Sequence, residues 1–282
     1  MIIDSHCHAW AYWPYKPPVP DPASRGSIEQ LIFEMDQNGI DKAVLICAQI
    51  AQNPDNNRYA AEQVERFAGR FVAFADIDGR WSQTYHTPNA AERLIEAADR
   101  FRLSGFTHYL REAEVADAEW LLSGEGMRLL SAAEDRRLVL SLSCGPRQFP
   151  IVCRIAESFP ALVILCHHMG WVLGRLGYED SGIREILAAA RIPNVAIKIS
   201  GFGYGTARGW DYPYEDTLWV VRALYEAFGP ERMCWGSDYP VSRRYMTYRQ
   251  SLEVVRQHCT FLSQQDLEQI LGGTIQRLVL AA

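Results

Sequence analysis

The first side chains in the sequence that could do chemistry together are two histidines near the N-terminus. His6 and His8 stand two residues apart in the run Asp-Ser-His-Cys-His at 4–8, which follows the apolar pair Ile2 and Ile3. Residues two apart on a β-strand point to the same side, so both imidazoles would face one space. Paired imidazoles can bind a metal ion or transfer protons. Two histidines packed at a strand end are an equally good interpretation of this motif alone.

Further candidates follow two later apolar runs. His167 and His168 come after residues 162–166, and Asp238 comes after residues 233–237. Neighbouring residues of a strand point to opposite faces, so only one of the two adjacent histidines is expected to point toward the interior. A carboxylate after a buried run is costly to desolvate unless it is paired or bound to a cation. Taken alone, Asp238 is better explained as a helix cap or a loop hydrogen-bond acceptor.

Short apolar segments rich in β-branched residues alternate with longer amphipathic segments. The predicted strands are 1–4, 42–47, 71–76, 105–109, 138–143, 162–167, 194–199 and 233–237. The predicted helices are 27–38, 55–68, 88–101, 116–137, 146–159, 183–190, 215–228, 248–258 and 264–271. Alternating strands and helices indicate a parallel sheet, and eight such units favour a (β/α)8 TIM barrel in a single domain, residues 1–282. An open doubly wound sheet is the alternative, although no glycine-rich phosphate loop follows the first strand.

A closed barrel would bring the candidate residues together. Its first and eighth strands are neighbours, so Asp238 would meet His6 and His8 at the seam, and the sixth strand would add a histidine at the same rim. Active sites of this fold lie at the carboxyl ends of the strands. Core packing could explain any one of these residues alone. It is a poorer explanation for imidazoles and a carboxylate that come from three strand ends and meet at one mouth of the barrel.

Composition and charge exclude several classes of function. The net charge of −6 argues against general binding to nucleic acid or to anionic membranes. No apolar run approaches the length of a membrane span, and the N-terminus does not have the pattern of a signal peptide. Seven scattered cysteines without a CxxC motif are typical of buried, reduced thiols. We therefore expect a cytoplasmic protein that acts on a small molecule, with neither nucleic acid nor membrane as partner, as a monomer or homo-oligomer.

These motifs resemble those of the amidohydrolase superfamily. The His-x-His pair is followed in order by His-Met-Gly at 168–170, Lys-Ile-Ser-Gly at 198–201 and Gly-Ser-Asp-Tyr-Pro at 236–240. The resemblance spans nearly the whole chain. More narrowly, the sequence looks like the amidohydrolase-related branch, which includes sugar lactonases, pyrone-dicarboxylate lactonases and non-oxidative decarboxylases.

The resemblance implies catalytic roles for four residues. Asp238 matches the strand-eight aspartate, the general base that activates water, and His6 and His8 match the strand-one pair. His168 matches the strand-six histidine because it directly precedes Met-Gly. That match leaves His167 as the less favoured site residue.

Four further residues are candidates for substrate binding. The family's Lys-x-Ser-Gly pattern suggests that Lys198 points inward, although a lysine snorkelling at the barrel rim would look the same. Arg111 and Arg208 follow the fourth and seventh strands, where guanidinium groups could hold a carboxylate. Tyr239 could form part of an apolar wall. Solvated loop arginines and loop packing are the alternatives for these last three.

The metal content stays open at the level of sequence. The fourth strand has no lysine or glutamate to bridge two ions, and the fifth has no histidine, so a binuclear centre is not expected. The missing strand-five histidine resembles the lactonase members, some of which work without metal. The resemblance therefore implies either one divalent ion, with zinc favoured, held by His6, His8 and Asp238, or a metal-free site with the same residues.

The leading hypothesis is a lactonase-like hydrolase. Asp238 would remove a proton from water, which attacks a lactone, ester or amide carbonyl, while the histidines or an ion they hold stabilise the developing oxyanion. A metal-dependent non-oxidative decarboxylase of a small carboxylic acid on the same barrel is the first alternative. A non-catalytic barrel that binds a small ligand is an alternative of a different class.

Overall fold

The computed structural model describes residues 1–111 and 115–280, and within these ranges eight parallel strands form a nearly closed barrel. Each strand pairs with the next one along the chain. The predicted (β/α)8 barrel is confirmed. The strands are β1 (Ile3–Cys7), β2 (Lys42–Ile46), β3 (Phe71–Asp76), β4 (Gly105–Tyr109), β5 (Val139–Ser143), β6 (Ile164–Cys166), β7 (Val195–Ile199) and β8 (Met233–Trp235).

The α-helices surround this sheet and connect successive strands. In the described part of the chain they are α1 (Ile28–Asn38), α2 (Asn56–Arg66), α3 (Ala90–Phe101), α4 (Val115–Glu119), α5 (Gly124–Asp135), α6 (Phe149–Ser158), α7 (Gly177–Asp180), α8 (Ile183–Ala188), α9 (Phe202–Gly205), α10 (Glu215–Phe228), α11 (Tyr248–Glu253) and α12 (Gln264–Glu268). None of the helices in these described ranges is both long and apolar enough to cross a membrane.

One predicted helix is interrupted. The segment predicted as a continuous helix over 116–137 forms α4 and α5, with a 3-10 turn at Trp120–Leu122 between them. Ser123 accepts a hydrogen bond from the backbone N–H of Gly126 at 3.2 Å and so caps the start of α5. A serine at this position competes with continuous helix, because its side chain satisfies the free N–H groups of a new first turn.

The two strands that precede His168 and Asp238 end earlier than predicted, whereas the strand that carries His6 extends beyond its predicted end at residue 4 to Cys7. β6 ends at Cys166 and β8 at Trp235, so His168 and Asp238 lie beyond the sheet. Both residues have left-handed backbone angles, with φ of 47° and 54°. This conformation is uncommon for residues other than glycine, and it redirects the chain at the rim of the barrel.

The strands are buried on both faces, as is typical of a parallel sheet covered by helices. Side chains such as Val44, Phe74 and Leu165 form one apolar cluster with other strand residues, and a second, larger cluster joins strands and helices. Complete burial of each large apolar side chain contributes about 1.5–3 kcal/mol relative to exposure. The seven cysteines all lie in the described ranges as buried free thiols, as predicted.

Backbone hydrogen bonds join the first strand to the chain that follows the last. The N–H of Asp238 donates to the carbonyl of His6 at 2.8 Å, and the N–H of His8 donates to the carbonyl of Tyr239 at 2.6 Å. These two bonds alternate between the segments as in a parallel ladder. The barrel seam therefore fixes Asp238 in register with both N-terminal histidines.

A buried carboxylate strengthens the same seam. Asp4 on β1 accepts hydrogen bonds from the backbone N–H of Ser237 at 2.9 Å, from its hydroxyl at 2.5 Å and from the Tyr248 hydroxyl at 2.9 Å. Burial raises the pKa of Asp4 to about 6, although the hydrogen bonds from Ser237 oppose this shift. Hydrogen bonds to a carboxylate are roughly twice as strong as neutral ones, so Asp4 holds the segment after β8 against β1.

Gly236, the first residue after β8, allows this segment to approach β1 closely, and its replacement by alanine should destabilise the fold. A Cβ at this position would lie 2.7 Å from the Cβ of His6 and 3.0 Å from its backbone nitrogen. Gly236→Ala should lower the free energy of unfolding by about 1–3 kcal/mol, the usual cost of overpacking, as measured by urea denaturation. Gly124→Ala is the matched control, because a Cβ there would meet nothing within 4 Å. Equal effects of the two substitutions would contradict the close approach at the seam.

Candidate active site

A cavity of about 190 Å³ lies at the carboxyl ends of the strands. Four of the predicted site residues line it: His6, His8, His168 and Asp238. Six aromatic rings provide much of the remaining wall, from Trp10, Tyr15, Trp81, Tyr109, Trp171 and Tyr204. The structure therefore brings together the three strand ends that the sequence predicts to converge.

One carboxylate oxygen lies at the centre of this group. Oδ1 of Asp238 is 3.4 Å from Nε2 of His8, 3.7 Å from Nε2 of His6 and 3.9 Å from Nε2 of His168. The other oxygen, Oδ2, accepts a hydrogen bond from the Tyr204 hydroxyl at 2.5 Å. All four ionisable residues are buried, so their interactions act with little screening by solvent.

The surroundings of Asp238 favour its ionised form. Burial opposes ionisation, but the nearby rings of His168 and His8 and the hydrogen bond from Tyr204 outweigh it and lower the pKa of Asp238. The carboxylate is therefore charged at neutral pH and can accept a proton.

The proton positions of His8 follow from its backbone contact. Nδ1 lies 2.6 Å from the carbonyl oxygen of Ile46, which can only accept, so Nδ1 carries the proton. In a neutral ring Nε2 is then an acceptor, and it faces an oxygen of Asp238 that is also an acceptor. A proton or a cation between them would remove this repulsion.

Both adjacent histidines point inward, and the expectation that only one would do so is wrong. The ring centroids of His167 and His168 lie 4.5 and 4.6 Å from that of His6. The alternation of strand side chains does not apply here, because β6 ends before this pair and His168 has a left-handed backbone. His168 lines the cavity, with its Nδ1 2.9 Å from the Ser200 hydroxyl. His167 is fully buried, and its Nε2 lies 2.7 Å from the Ser141 hydroxyl.

Lys198 points inward but does not line the cavity. It belongs to β7 rather than to the following loop, so its ammonium group is fully buried inside the barrel. Nζ lies 2.6 Å from the Ser141 hydroxyl and 3.3 Å from Nδ1 of His6. Lys198 therefore lies too deep in the barrel for either of its two expected positions, in contact with the substrate or snorkelling at the rim. Burial lowers the pKa of Lys198 to about 8, and burial together with the Lys198 charge lowers that of His6 well below its usual value.

The other three predicted substrate-binding residues lie outside the cavity. Arg111 is exposed and its guanidinium lies over the ring of Tyr85 at 5.0 Å. Arg208 is exposed beside a separate surface depression. Tyr239 is fully buried and packs against Tyr248, because the chain turns at Asp238 and sends the next side chain away from the cavity.

Several wall residues were not predicted as site residues. Tyr109 ends β4, and Trp171 follows the His-Met-Gly motif, so their places at strand ends were a usable signal. Trp81 had no such signal, because it lies in a loop. Its indole N–H donates to Oδ2 of the buried Asp76 at 2.7 Å, and the same oxygen accepts from the backbone N–H of Gln49 at 2.7 Å. Asp76 therefore holds two loops in place at the cavity wall.

The donor set fits one divalent ion. His6, His8 and Asp238 offer ligand atoms within 4.8 Å of one another. Nε2 of His6 is buried without a hydrogen-bond partner among the described residues, and Nε2 of His8 is an acceptor. Two imidazole nitrogens and a carboxylate oxygen, with a coordination position open, form a donor set used by mononuclear zinc enzymes. His6, His167 and His168 form a second such trio.

Comparisons with known proteins show the family to which this chain belongs. Residues 3–279 match the family model described as amidohydrolase. The chain is 26% identical over 256 residues to the L-fucono-1,5-lactonase of Burkholderia ambifaria, covering 86% of this chain and 81% of the lactonase. A Burkholderia multivorans amidohydrolase with bound zinc has a TM-score of 0.75 at 22% identity, covering 99% of this chain and 98% of that one. A probable 2-pyrone-4,6-dicarboxylic acid hydrolase from Acinetobacter baumannii has a TM-score of 0.77 at 17% identity, covering 98% of both chains.

At these identities the structural likenesses show the fold alone. The family model, in contrast, covers almost the whole chain, from β1 to beyond α12. Together with the lactonase relative, it shows that the protein is an enzyme belonging to the amidohydrolase family.

Proposed function

We propose that this enzyme hydrolyses a lactone of a small molecule, with Asp238 as general base. The observation that carries the proposal is an ionised carboxylate oxygen with three imidazole nitrogens within 3.9 Å, on the wall of a cavity of about 190 Å³. The relatives support a lactone as the substrate class, since one is named a lactonase and one structural neighbour a probable pyrone hydrolase.

The proposed reaction begins with proton removal from water. Asp238 accepts a proton as the water oxygen bonds to the lactone carbonyl carbon, and the carbonyl oxygen becomes an oxyanion. The bond to the ring oxygen then breaks, and the protonated Asp238 returns its proton to the leaving alkoxide. One water is consumed and one hydroxy acid is formed. A positioned general base typically contributes a factor of about 10²–10⁴ to such a step.

Imidazole N–H groups stabilise the oxyanion. His6 and His168 both line the cavity, with Nε2 3.7 and 3.9 Å from Oδ1 of Asp238, so their rings can donate to an oxygen bound beside Asp238. In a buried site such donors act without reorganisation of solvent, and the loss of one typically reduces kcat by about 10²–10³.

Alternatively, a divalent ion in place of the His6 proton would be held by His6, His8 and Asp238, with zinc as the favoured ion because it is bound in the similar Burkholderia multivorans structure. When bound, such an ion lowers the pKa of a water and polarises a carbonyl. The hydrogen bond from Nδ1 of His8 to Ile46 fixes the acceptor nitrogen of His8 toward the carboxylate. The Tyr204 hydroxyl, bonded to Oδ2, leaves Oδ1 to face the imidazoles.

Replacement of the proposed base should remove turnover without unfolding the protein. Asp238→Asn keeps the shape of the side chain but cannot accept the proton, so kcat for lactone opening should fall by about 10²–10⁴. Circular dichroism should show a retained fold. Asp211→Asn is the control, because Asp211 is an exposed aspartate outside the cavity. Near-normal hydrolysis by Asp238→Asn would refute the assignment.

A panel of substrates tests the class of reaction. Sugar lactones and monocyclic pyrones should be opened, with release of a proton and no carbon dioxide. Release of carbon dioxide from aromatic acids without lactone opening would instead make the enzyme a decarboxylase. Binding of lactones without turnover of either class would favour a non-catalytic barrel.

The pH dependence should report the ionisation of Asp238. The base works only when ionised, so kcat/KM falls as the pH drops through its pKa, which lies below the usual value of about 3.9. Activity should therefore persist down to about pH 4 as long as the protein stays folded. Tyr204→Phe removes a hydrogen bond that lowers this pKa and should move the acid limb up by about one pH unit. The exposed Tyr178→Phe should leave the limb in place, and an unmoved limb in Tyr204→Phe would contradict the contact.

A further inference from the structure

Lys198 is a charged group in the interior of the barrel. Among the described residues, the hydrogen-bond partners of its Nζ are the Ser141 hydroxyl and Nδ1 of His6, neither of which is a carboxylate. The ring of Phe74 lies 5.9 Å away. Burial of an ammonium group without an ion-pair partner is costly, and an apolar side chain of similar volume would fill the space at lower cost. The position therefore calls for an explanation other than packing.

The contacts of Lys198 determine where its neighbours hold their protons. An ammonium group only donates, so the ring nitrogen that it contacts on His6 must be the acceptor. A neutral imidazole has one acceptor and one N–H, which leaves the proton of His6 on Nε2. Ser141 likewise accepts from Lys198, so its own hydroxyl proton is free for Nε2 of His167 at 2.7 Å.

The other nitrogen of His6 is the one that matters for the site. Nε2 faces Oδ1 of Asp238 at 3.7 Å and is also the candidate metal-ligating atom. With a proton on Nε2, His6 is a hydrogen-bond donor toward the carboxylate and the cavity. With an ion on Nε2, that proton has to leave to solvent, because one nitrogen cannot hold both.

We propose that Lys198 is a positioning residue that fixes the proton of His6 on Nε2, which keeps His6 a donor and weakens the binding of divalent ions. This inference deepens the proposed function, since a donor at Nε2 is what the oxyanion requires. It also explains why a lysine stands behind His6 rather than a carboxylate. The outer partner of a metal-binding histidine is usually an acceptor that raises its affinity for metal, and Lys198 acts in the opposite sense.

The first test measures the tautomer directly. The full chain is labelled with ¹⁵N-histidine, freed of metal with a chelator, and His6 is assigned by the signals lost in His6→Gln. We expect Nε2 of His6 to be protonated and Nδ1 to be unprotonated. The opposite tautomer in the wild-type protein would overturn the proposal. No substrate is needed, so this result is independent of whether the enzyme opens lactones.

The second test compares variants by titration with Zn²⁺ in a calorimeter. Lys198→Met removes the donor with an apolar chain of similar length, so it should release the tautomer and bind Zn²⁺ about ten- to a hundredfold more tightly, the range typical of changes behind a metal-binding histidine. Ser141→Ala removes the other acceptor of Lys198 but keeps its contact with His6, and it should retain the wild-type tautomer and affinity. Lys42→Met, half-buried at the start of β2, is the matched control.

Two outcomes of the variant test would overturn the proposal. The first is an unchanged or weaker Zn²⁺ affinity in Lys198→Met. The second is an equal change of Zn²⁺ affinity in Ser141→Ala and Lys198→Met, which would indicate an effect of packing rather than of proton placement. In kinetics with a lactone, Lys198→Met should lower kcat with little change in KM. If Lys198→Met does not fold, the tautomer of His6 measured in the wild-type protein still tests the proposal.

Discussion

The hydrogen bonds across the barrel seam are the constraint on which the site depends. The backbone bonds of Asp238 and His8 to the opposite segment leave no freedom in the register between β1 and the chain after β8. Asp4 adds charge-assisted bonds to Ser237 in the same layer. The imidazoles of His6, His8 and His168 are held within 3.9 Å of the Asp238 carboxylate because the surrounding structure over-determines their positions.

The interior of the barrel combines an apolar core with a small set of polar groups. The imidazole of His6 on β1 has Nδ1 3.3 Å from the ammonium of Lys198 on β7 and Nε2 3.7 Å from the carboxylate of Asp238 beyond β8. In a medium of low dielectric these charges influence one another more strongly than they would in water. Burial and the charge of Lys198 lower the pKa of His6 and keep its ring neutral, whereas the pKa of Asp238 is lowered against the effect of burial by the groups around its carboxylate.

The cavity itself is shaped by loops more than by strands. Tyr204 contacts both Asp238 and the ring of Trp171, and Trp81 is held by Asp76 at the end of β3. Rigid aromatic walls admit a small ligand and exclude bulk water, which favours chemistry at a buried carboxylate. The sheet thus fixes where the strand ends meet, while the segments that follow the strands carry His8, His168 and Asp238 and form the walls of the cavity.

The sequence by itself determined the barrel and the convergence of His6, His8, His168 and Asp238, because alternating buried strands and helices have few solutions and strand ends share one rim. Local spacing could not determine where side chains point once the chain leaves the sheet. Left-handed turns brought both His167 and His168 inward and sent Tyr239 away. Only the tertiary structure decided that Lys198 is buried inside the barrel and that Arg111 and Arg208 lie outside the cavity. The physical reason is that these positions depend on contacts between residues distant in sequence.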